Sequence, residues 1–418
     1  MSEAASILTI GDELLFGDRV DTNGPWLSSQ LSALGINTLE HCSVPDNIDL
    51  IASAINRLAN ASQILLVTGG LGPTKDDRTR KAFAAALGDE LIFDQDAHQS
   101  MLTYFQKREA VMPKVNEVQA FRPYTATWIP NIHGTAPGLN ATLNGCDVYC
   151  FPGPPSELQP MFGRIVENMD LALKCNSPRR IMELHAWGLP ESIAGEKIKD
   201  LMDEKDPSVS ILIGRSGITA RVISSLNETS EEVIVEIKKR WSPWIYGSNE
   251  ETLASSLGNI LNGSLATAES CTAGLIGDLI GQVPGASDWF LGGWITYSNE
   301  LKQTQLGIEP NLLEQYGAVS WQVAKMMAEC ACVKSGSSVG LSTTGIAGPT
   351  GGTHKKPVGT VFIGCTKNGS TEVREFRFTG TRDEIRIRAA SSAIQMARLK
   401  CLGLVENQMC WQHGSVFR

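Results

Sequence analysis

The stretch from Ile64 to Leu87 constrains the fold more than any other part of the chain. Ile64–Val67 is an unbroken apolar run. Thr68-Gly69-Gly70-Leu71-Gly72-Pro73 then interrupts it, and an alanine-rich helical pattern follows from about Arg78 to Leu87. A strand that is apolar on both faces suits a parallel sheet covered by helices, since a strand with one wet face would alternate. The order recurs. Val148–Phe151 runs into Pro152-Gly153-Pro154-Pro155 and a helix over Glu157–Glu167, and Ile7–Ile10 precedes an amphipathic helix over Asn23–Leu34. Strand, glycine loop and helix in this repetition predict an α/β sheet with helices on both faces and its ligand loops at the strands' carboxyl ends.

At 418 residues the chain exceeds one ordinary core, so further units are expected. Ser177–Trp244 reads as a small α+β module, with strands at Arg180–Leu184, Ser210–Ile213 and Thr219–Ser225 and helices at Ser192–Met202 and Ser230–Lys239. Gly247-Ser248-Asn249 looks like a linker or turn. A third unit opens near Glu251 with a helix over Thr252–Leu261 and a strand ending at Ala268. Strands at Val339–Thr343, Val358–Cys365 and Thr371–Phe378 follow, then a long helix over about Asp383–Leu402. The last two of these strands read as a hairpin, which predicts a mixed sheet.

Bulk properties exclude several classes. A net charge of −9 is wrong for a general nucleic-acid grip, which needs a basic excess. The ten cysteines form no CxxC pair, which leaves no zinc-site spacing. The start has no basic, apolar leader pattern, and no run approaches the ~20 apolar residues of a membrane span. A cytoplasmic protein with reduced thiols is expected, one that contacts neither membrane nor nucleic acid.

In the first unit Gly69, Gly70 and Gly72 let backbone N–H groups approach an anion at a helix N-terminus. Asp76 and Asp77 follow at once, as a divalent cation bridging to phosphate oxygens requires; the plainer alternative is that one of them caps the helix. Gly11-Asp12-Glu13, Asn23, Gly134-Thr135-Ala136-Pro137-Gly138 and the Pro152–Pro155 loop lie at further strand ends.

The third unit offers a different chemistry. Ala268-Glu269-Ser270-Cys271-Thr272-Ala273-Gly274 puts Ser270 at a strand-to-helix turn, as a nucleophile or as a helix cap. It lacks the flanking glycines of a nucleophile elbow. Tyr297 and Lys302 lie five residues apart in Trp294–Lys302, and a desolvated lysine can serve as the base for a serine; a solvated surface lysine is the alternative. Thr344 and Gly345 open a second glycine loop, which Lys356-Pro357-Val358-Gly359-Thr360 closes. Arg382 and Arg386 share one helix face. Arginine in a first turn opposes the helix dipole, which an anionic ligand would offset, as would pairing with Asp383 or Glu384.

Taken in order, GDELLFG, DTN, TGGLGPTKDDRT, GTAPG and PGPPSEL resemble the molybdopterin-binding-like domain of the CinA (competence/damage-inducible) family. AESCTAG, TYSNELK, TGIAGPTGG, KPVGTV and GTRDEIR resemble that family's nicotinamide mononucleotide amidohydrolase domain. The resemblance implies an α/β protein of three parts. These are a three-layer molybdopterin-binding-like domain over 1–172, a small α+β KH-type module over 173–248, and an α/β/α CinA-type domain over 250–418. The first implied activity is divalent-metal-dependent hydrolysis of ADP-ribose to AMP and ribose 5-phosphate, with Gly69, Gly70 and Gly72 at substrate and Asp76 and Asp77 at the metal. The second is metal-free deamidation of nicotinamide mononucleotide to nicotinate mononucleotide and ammonia, in pyridine nucleotide salvage. Ser270, Tyr297 and Lys302 would be catalytic, and Glu269, Thr344, Gly345, Arg382 and Arg386 would hold substrate. The resemblance also implies a homodimer. A non-catalytic partner protein in competence or DNA-damage responses is the rival class, and a molybdopterin-handling domain a third. Two departures from the family pattern stand out: Leu158 ends the PSEL segment where a methionine is usual, and Ala273 replaces a glycine, where its methyl is expected to narrow the pocket.

Overall fold

The computed structural model describes residues 4–168, 179–204, 206–215, 217–225, 229–404 and 408–418. They form two compact units, Met1–Arg180 and Ile181–Arg418. The expected boundary at 172/173 lies outside the described residues. No described helix is long and apolar enough to cross a membrane.

The first unit is built on a six-stranded sheet in the order Asn37–Val44, Ala4–Ile10, Ile64–Thr68, Cys146–Phe151, Gly138–Leu143, Thr127–Ile129. The first four run parallel and the last two pairings are antiparallel. Side-chain alternation sorts the apolar runs into two cores. Leu8, Leu65, Val67, Val148 and Cys150 pack with Ile51, Ile55, Leu58 and Phe83 of the helices Ile48–Ala61 and Thr79–Leu87. Ile7, Leu66, Tyr149 and Phe151 pack with Leu27, Leu31, Leu158, Phe162 and Ile165 of Asn23–Ala33 and Pro155–Asn168. The continuous apolar strands thus have helices on both sides, as expected. Leu158 is fully buried in this core, so the departure at PSEL is one of packing.

The second unit contains two sheets. A four-stranded one runs Ser208–Gly214, Gly217–Ser225, Arg179–Ala186, Ile245–Ser248, backed by helices Glu191–Met202 and Thr229–Trp241. A six-stranded one runs Phe290–Ile295, Leu265–Glu269, Val339–Gly345, Thr360–Lys367, Ser370–Arg377, Gln412–Phe417. Its first three strands are parallel and the rest antiparallel, the mixed sheet that the hairpin pattern predicted. Helices Leu253–Ile260, Leu275–Gly281 and Arg382–Cys401 cover one face, and Pro310–Tyr316 and Trp321–Ser335 the other.

Gly247-Ser248-Asn249 is not a linker. Gly247 and Ser248 pair with His185 and Leu184 across the four-stranded sheet, and Asn249 Oδ1 accepts from the N–H of Glu183. Trp187 and Tyr246 are buried in the same core as Leu257, Leu341 and Ile394. Trp187 Nε1 donates to Ser392 Oγ at 3.1 Å, and Gln395 Nε2 donates to the Trp187 carbonyl at 3.2 Å. Small module and large sheet therefore share one core through the helix Arg382–Cys401.

Candidate active sites

Strand Leu265–Glu269 lies between two parallel neighbours, with Glu269 opposite Ile295 and Thr343. The first two strands end at this pairing and Val339–Gly345 runs two residues further, so Ser270, Thr296 and Thr344 stand at one edge. The N–H of Ser270 donates to the Thr343 carbonyl at 2.9 Å, and that of Thr296 to the Glu269 carbonyl at 2.8 Å. The helix after Ser270 begins only at Leu275, with Gly274 at its N-cap and no side-chain cap. Ser270 is therefore not a helix cap. Its hydroxyl accepts from Lys302 Nζ at 3.0 Å. Among the described residues, the N–H groups of Cys271 and Thr272 donate to no backbone carbonyl.

Lys302 sits on the short helix Asn299–Thr304, started by Ser298 Oγ accepting from the N–H of Leu301. It is 1% exposed, which removes the surface-lysine alternative. Its ammonium also donates to the carbonyls of Thr296 at 2.8 Å and Tyr297 at 3.3 Å. Every acceptor is neutral, and burial penalises the charged form. The pKa is accordingly pulled down from 10.5 to about 8, with the nearby Cys271 thiol working weakly the other way. Burial pushes that thiol up to about 12, so it is no thiolate at neutral pH.

A cavity of about 260 Å³ opens over this pair, lined also by Tyr297, Ala318, Val319, Thr344–Ala347, Gly348 and Arg382. A reciprocal capping box between Thr381 and Glu384 starts the last helix at Arg382. Arg382 then reaches across the cavity and donates to the Gly348 carbonyl at 2.6 Å and to the Tyr297 hydroxyl at 2.7 Å. Arg386 lies outside the lining, donates to the Thr272 carbonyl at 2.9 Å, and is 4.0 Å from Asp383. Of the two arginines only Arg382 faces the cavity.

Four expectations change. Glu269, expected at substrate, is buried, and its carboxylate accepts from the N–H groups of Gly274, Ile276 and Gly277 at 3.0–3.1 Å. It compensates the orphan donors of a helix start. Tyr297 meets Lys302 through its carbonyl, while its hydroxyl serves Arg382. The Thr344 hydroxyl, though beside the cavity, donates to the Ala318 carbonyl at 2.7 Å. Ala273 is exposed at φ 51° and does not line the cavity, so its methyl narrows nothing.

In the first unit a cavity of about 620 Å³ lies at the carboxyl ends of the parallel strands and includes Gly69, Gly70, Gly72, Asn23, Asp46, Asp76, Asp77 and Glu157. Gly69 and Gly70 have φ of 105° and 64°, and a Cβ would meet the Ile10 carbonyl at 2.2 Å and Thr79 Oγ1 at 2.3 Å. Only glycine fits there. Asn23 Nδ2 ties the loops together, donating to Thr68 Oγ1 and to the Gly153 carbonyl. Asp77 does not cap the helix, which starts at Thr79 without a side-chain cap. Instead its carboxylate accepts from the N–H groups of Gly72 at 2.7 Å and Thr74 at 2.8 Å and from the Thr74 hydroxyl. Both its oxygens are engaged in closing the loop. Asp77 nonetheless lines the cavity together with Asp76, and a carboxylate has acceptor sites beyond the three used here.

Arg80 was not singled out by motif, yet it grips the same loop. It is buried, donates to the carbonyls of Leu71 and Gly72 at 2.6 Å, and is pulled down to about 10 by burial. The signal lay in its position three residues before Phe83 and four before Ala84 on the inward helix face. Asp46 was missed too. Burial raises its pKa, and the charges of Asp12, Glu13 and Asp76 raise it further. These hard oxygens suit a divalent cation chemically. No three His, Cys, Asp or Glu side chains among the described residues converge as a cage. A cation here would therefore need oxygens of the substrate itself, as Mg²⁺ commonly does.

Residues 6–171 match the family described as "Probable molybdopterin binding domain", 182–247 the "Damage-inducible protein CinA KH domain", and 250–401 the "CinA C-terminal domain". A "CinA-like protein" of Kosmotoga olearia is 37% identical over 411 residues, covering 96% of this chain and 100% of that protein. A crystal structure of the protein CinA, of unknown function, from Thermoplasma acidophilum is 30% identical, covering 40% of this chain and 98% of that one, with a TM-score of 0.38. One of a competence/damage inducible protein from Agrobacterium tumefaciens is 35% identical, covering 37% and 94%, with a TM-score of 0.34.

Proposed function

The chain belongs to the CinA family, and from that premise we propose that its C-terminal domain hydrolyses the amide of nicotinamide mononucleotide, giving nicotinate mononucleotide and ammonia. The observation that carries this reading is the buried Lys302 ammonium 3.0 Å from Ser270 Oγ, with no carboxylate among its partners in the described residues. A lysine with a pKa of about 8 keeps a minor but usable neutral fraction near physiological pH, and that form can take the serine proton. Ser270 Oγ then attacks the amide carbon, and the N–H of Cys271, a residue that lines the cavity, would receive the developing oxyanion. The proton held on Lys302 goes to the departing ammonia. Water, deprotonated by the same amine, releases the acid and restores the serine. Arg382 is the cavity's cation for a substrate phosphate.

For the first unit the same premise supports hydrolysis of ADP-ribose to AMP and ribose 5-phosphate. Gly69, Gly70 and Gly72 would seat the pyrophosphate against backbone N–H groups, and Asp46 and Asp76 would hold a divalent cation beside it. That cation, when bound, neutralises charge developing on the phosphates. The reading places both activities in the cytoplasm, in pyridine nucleotide salvage. A purely scaffolding role has no use for a desolvated lysine beside a serine, because burying an uncompensated cation is costly.

The test is direct. Purified protein is incubated with nicotinamide mononucleotide, and separately with ADP-ribose, with and without a chelator. Ammonia release should survive the chelator and vanish in Ser270→Ala. AMP formation should vanish with the chelator and in Asp76→Ala. A wild type that turns over neither compound would return the protein to the partner-protein class.

A further inference from the structure

The glycine loop after strand Val339–Gly345 faces a second wall of the Ser270 cavity, the turn at 316–320 between helices Pro310–Tyr316 and Trp321–Ser335. Ala318 and Val319 of this turn line the cavity. The turn has no ladder to hold it, and Gly317 is in the left-handed region at φ 73°. Yet each of its four successive carbonyls is engaged. Lys356 Nζ donates to Val319 at 2.5 Å and to Tyr316 at 3.4 Å, Thr344 Oγ1 donates to Ala318 at 2.7 Å, and Ser320 Oγ donates to Gly317 at 2.8 Å.

Thr344 and Lys356 bracket the glycine loop, one at its entry and one at its exit. Lys356 is itself held by a reciprocal pair with Thr353. Its N–H donates to Thr353 Oγ1 at 3.0 Å, and the N–H of Thr353 donates to the Lys356 carbonyl at 2.8 Å. Among the described residues no carboxylate forms an ion pair with its ammonium, so its charge is directed wholly at carbonyl oxygens. We infer that Lys356 is a positioning residue. It pins the turn at 316–320 to the glycine loop and so fixes the width of the cavity in which the substrate of Ser270 is held. The pinning stands on geometry alone; its kinetic consequence rests on the amidase reading.

The experiment compares wild type, Lys356→Met and Lys356→Arg as full chains. Methionine follows the same path without a donor, while arginine keeps donors within reach of the same carbonyls. Without any substrate, amide hydrogen exchange at 316–320 should accelerate in Lys356→Met and return toward wild type in Lys356→Arg. With nicotinamide mononucleotide, Lys356→Met should raise KM by about tenfold, because the pocket is no longer pre-organised. Its kcat and the pH limb set by Lys302 should change little, since Ser270 and Lys302 are held by other elements. Unchanged exchange in Lys356→Met overturns the pinning. A fall in kcat at constant KM overturns the positioning role. If wild type releases no ammonia, the amidase reading fails, and the exchange result still decides the pinning.

Discussion

At Lys302 burial and chemistry act on the same nitrogen. The free amine is the form that can accept the Ser270 proton, so kcat/KM should rise with pH and level off above about 8, since only the deprotonated fraction reacts. Lys302→Met should lower kcat by roughly 10³-fold or more. The same shift has a stability consequence of fixed sign. The folded pKa of about 8 lies below the ordinary 10.5, so between these values the unfolded chain holds a proton that the folded chain has released. Stability must then rise with pH across that window, by up to roughly 3 kcal/mol for a shift of this size. Below about 8 the full penalty is present. Denaturant melts of wild type against Lys302→Met from pH 7 to 10.5 should show wild type gaining on the variant; parallel curves would mean the lysine is not desolvated in solution. Ala273 supplies a second residue-scale test. It stands exposed at φ 51° in the turn after Ser270, a conformation costing a non-glycine residue roughly 1–2 kcal/mol, against the greater entropy glycine loses on folding. Ala273→Gly should raise stability by a few tenths to about 1 kcal/mol with KM unchanged, since the methyl lies outside the cavity. A melting temperature that falls would show that the turn is not strained.

The last helix, Arg382–Cys401, decides between two arginines that a four-residue spacing cannot tell apart. Arg382 lines the cavity and Arg386 holds the Thr272 carbonyl behind the nucleophile turn. Arg382→Ala should therefore chiefly raise KM, by about tenfold or more for a lost phosphate contact. Arg386→Ala should chiefly lower kcat, because it loosens the turn that presents Ser270. Steady-state kinetics of the two variants separates these outcomes, and a reversed pattern would assign the phosphate to Arg386. The case also shows what sequence conveys about elements. The helix was legible from a long run of helix-forming residues free of glycine and proline, and strands such as Ile64–Thr68 and Val339–Gly345 from apolar runs that two helical layers make necessary. Strands Asn37–Val44 and Phe290–Ile295 were not anticipated, because they lie at sheet edges. Their burial is only partial, so one face carries no strong apolar signal. The nucleophile turn was legible as a motif, but the direction of its side chains was not. Glu269 turned toward helix N–H groups and Asp77 toward its own loop, because backbone donors left over at turns compete for any nearby carboxylate. That competition is settled by φ and ψ, which spacing does not reveal.

At the scale of the molecule, the units that fold together differ from the units that the motifs outline. All five motifs of the amidase reading lie after residue 250, and a fragment starting near Glu251 would contain its own six-stranded sheet. The packing says that such a fragment is incomplete. Trp187 is 3% exposed and lies in one core with Leu257, Leu341 and Ile394, and Tyr246 joins it. Ser392 and Gln395, both buried on the last helix, bond to the Trp187 indole and carbonyl. Cutting at 251 removes Trp187 and exposes apolar surface of the kind whose loss in a tryptophan-to-alanine change costs about 3–5 kcal/mol. It also leaves two polar side chains of that helix without partners. The same helix carries Arg382 at its first position, so loosening its middle is felt at the cavity. Fragments 181–418 and 251–418 can be compared by thermal melting and by ammonia release from nicotinamide mononucleotide. The longer fragment follows the compact unit Ile181–Arg418 and should melt cooperatively and match the full chain in kcat and KM. The shorter should melt at a markedly lower temperature, with a raised KM even where it remains folded. Equal melting and kinetics for the two would mean that the small module adds nothing to the catalytic core, and that the shared packing around Trp187 is energetically idle.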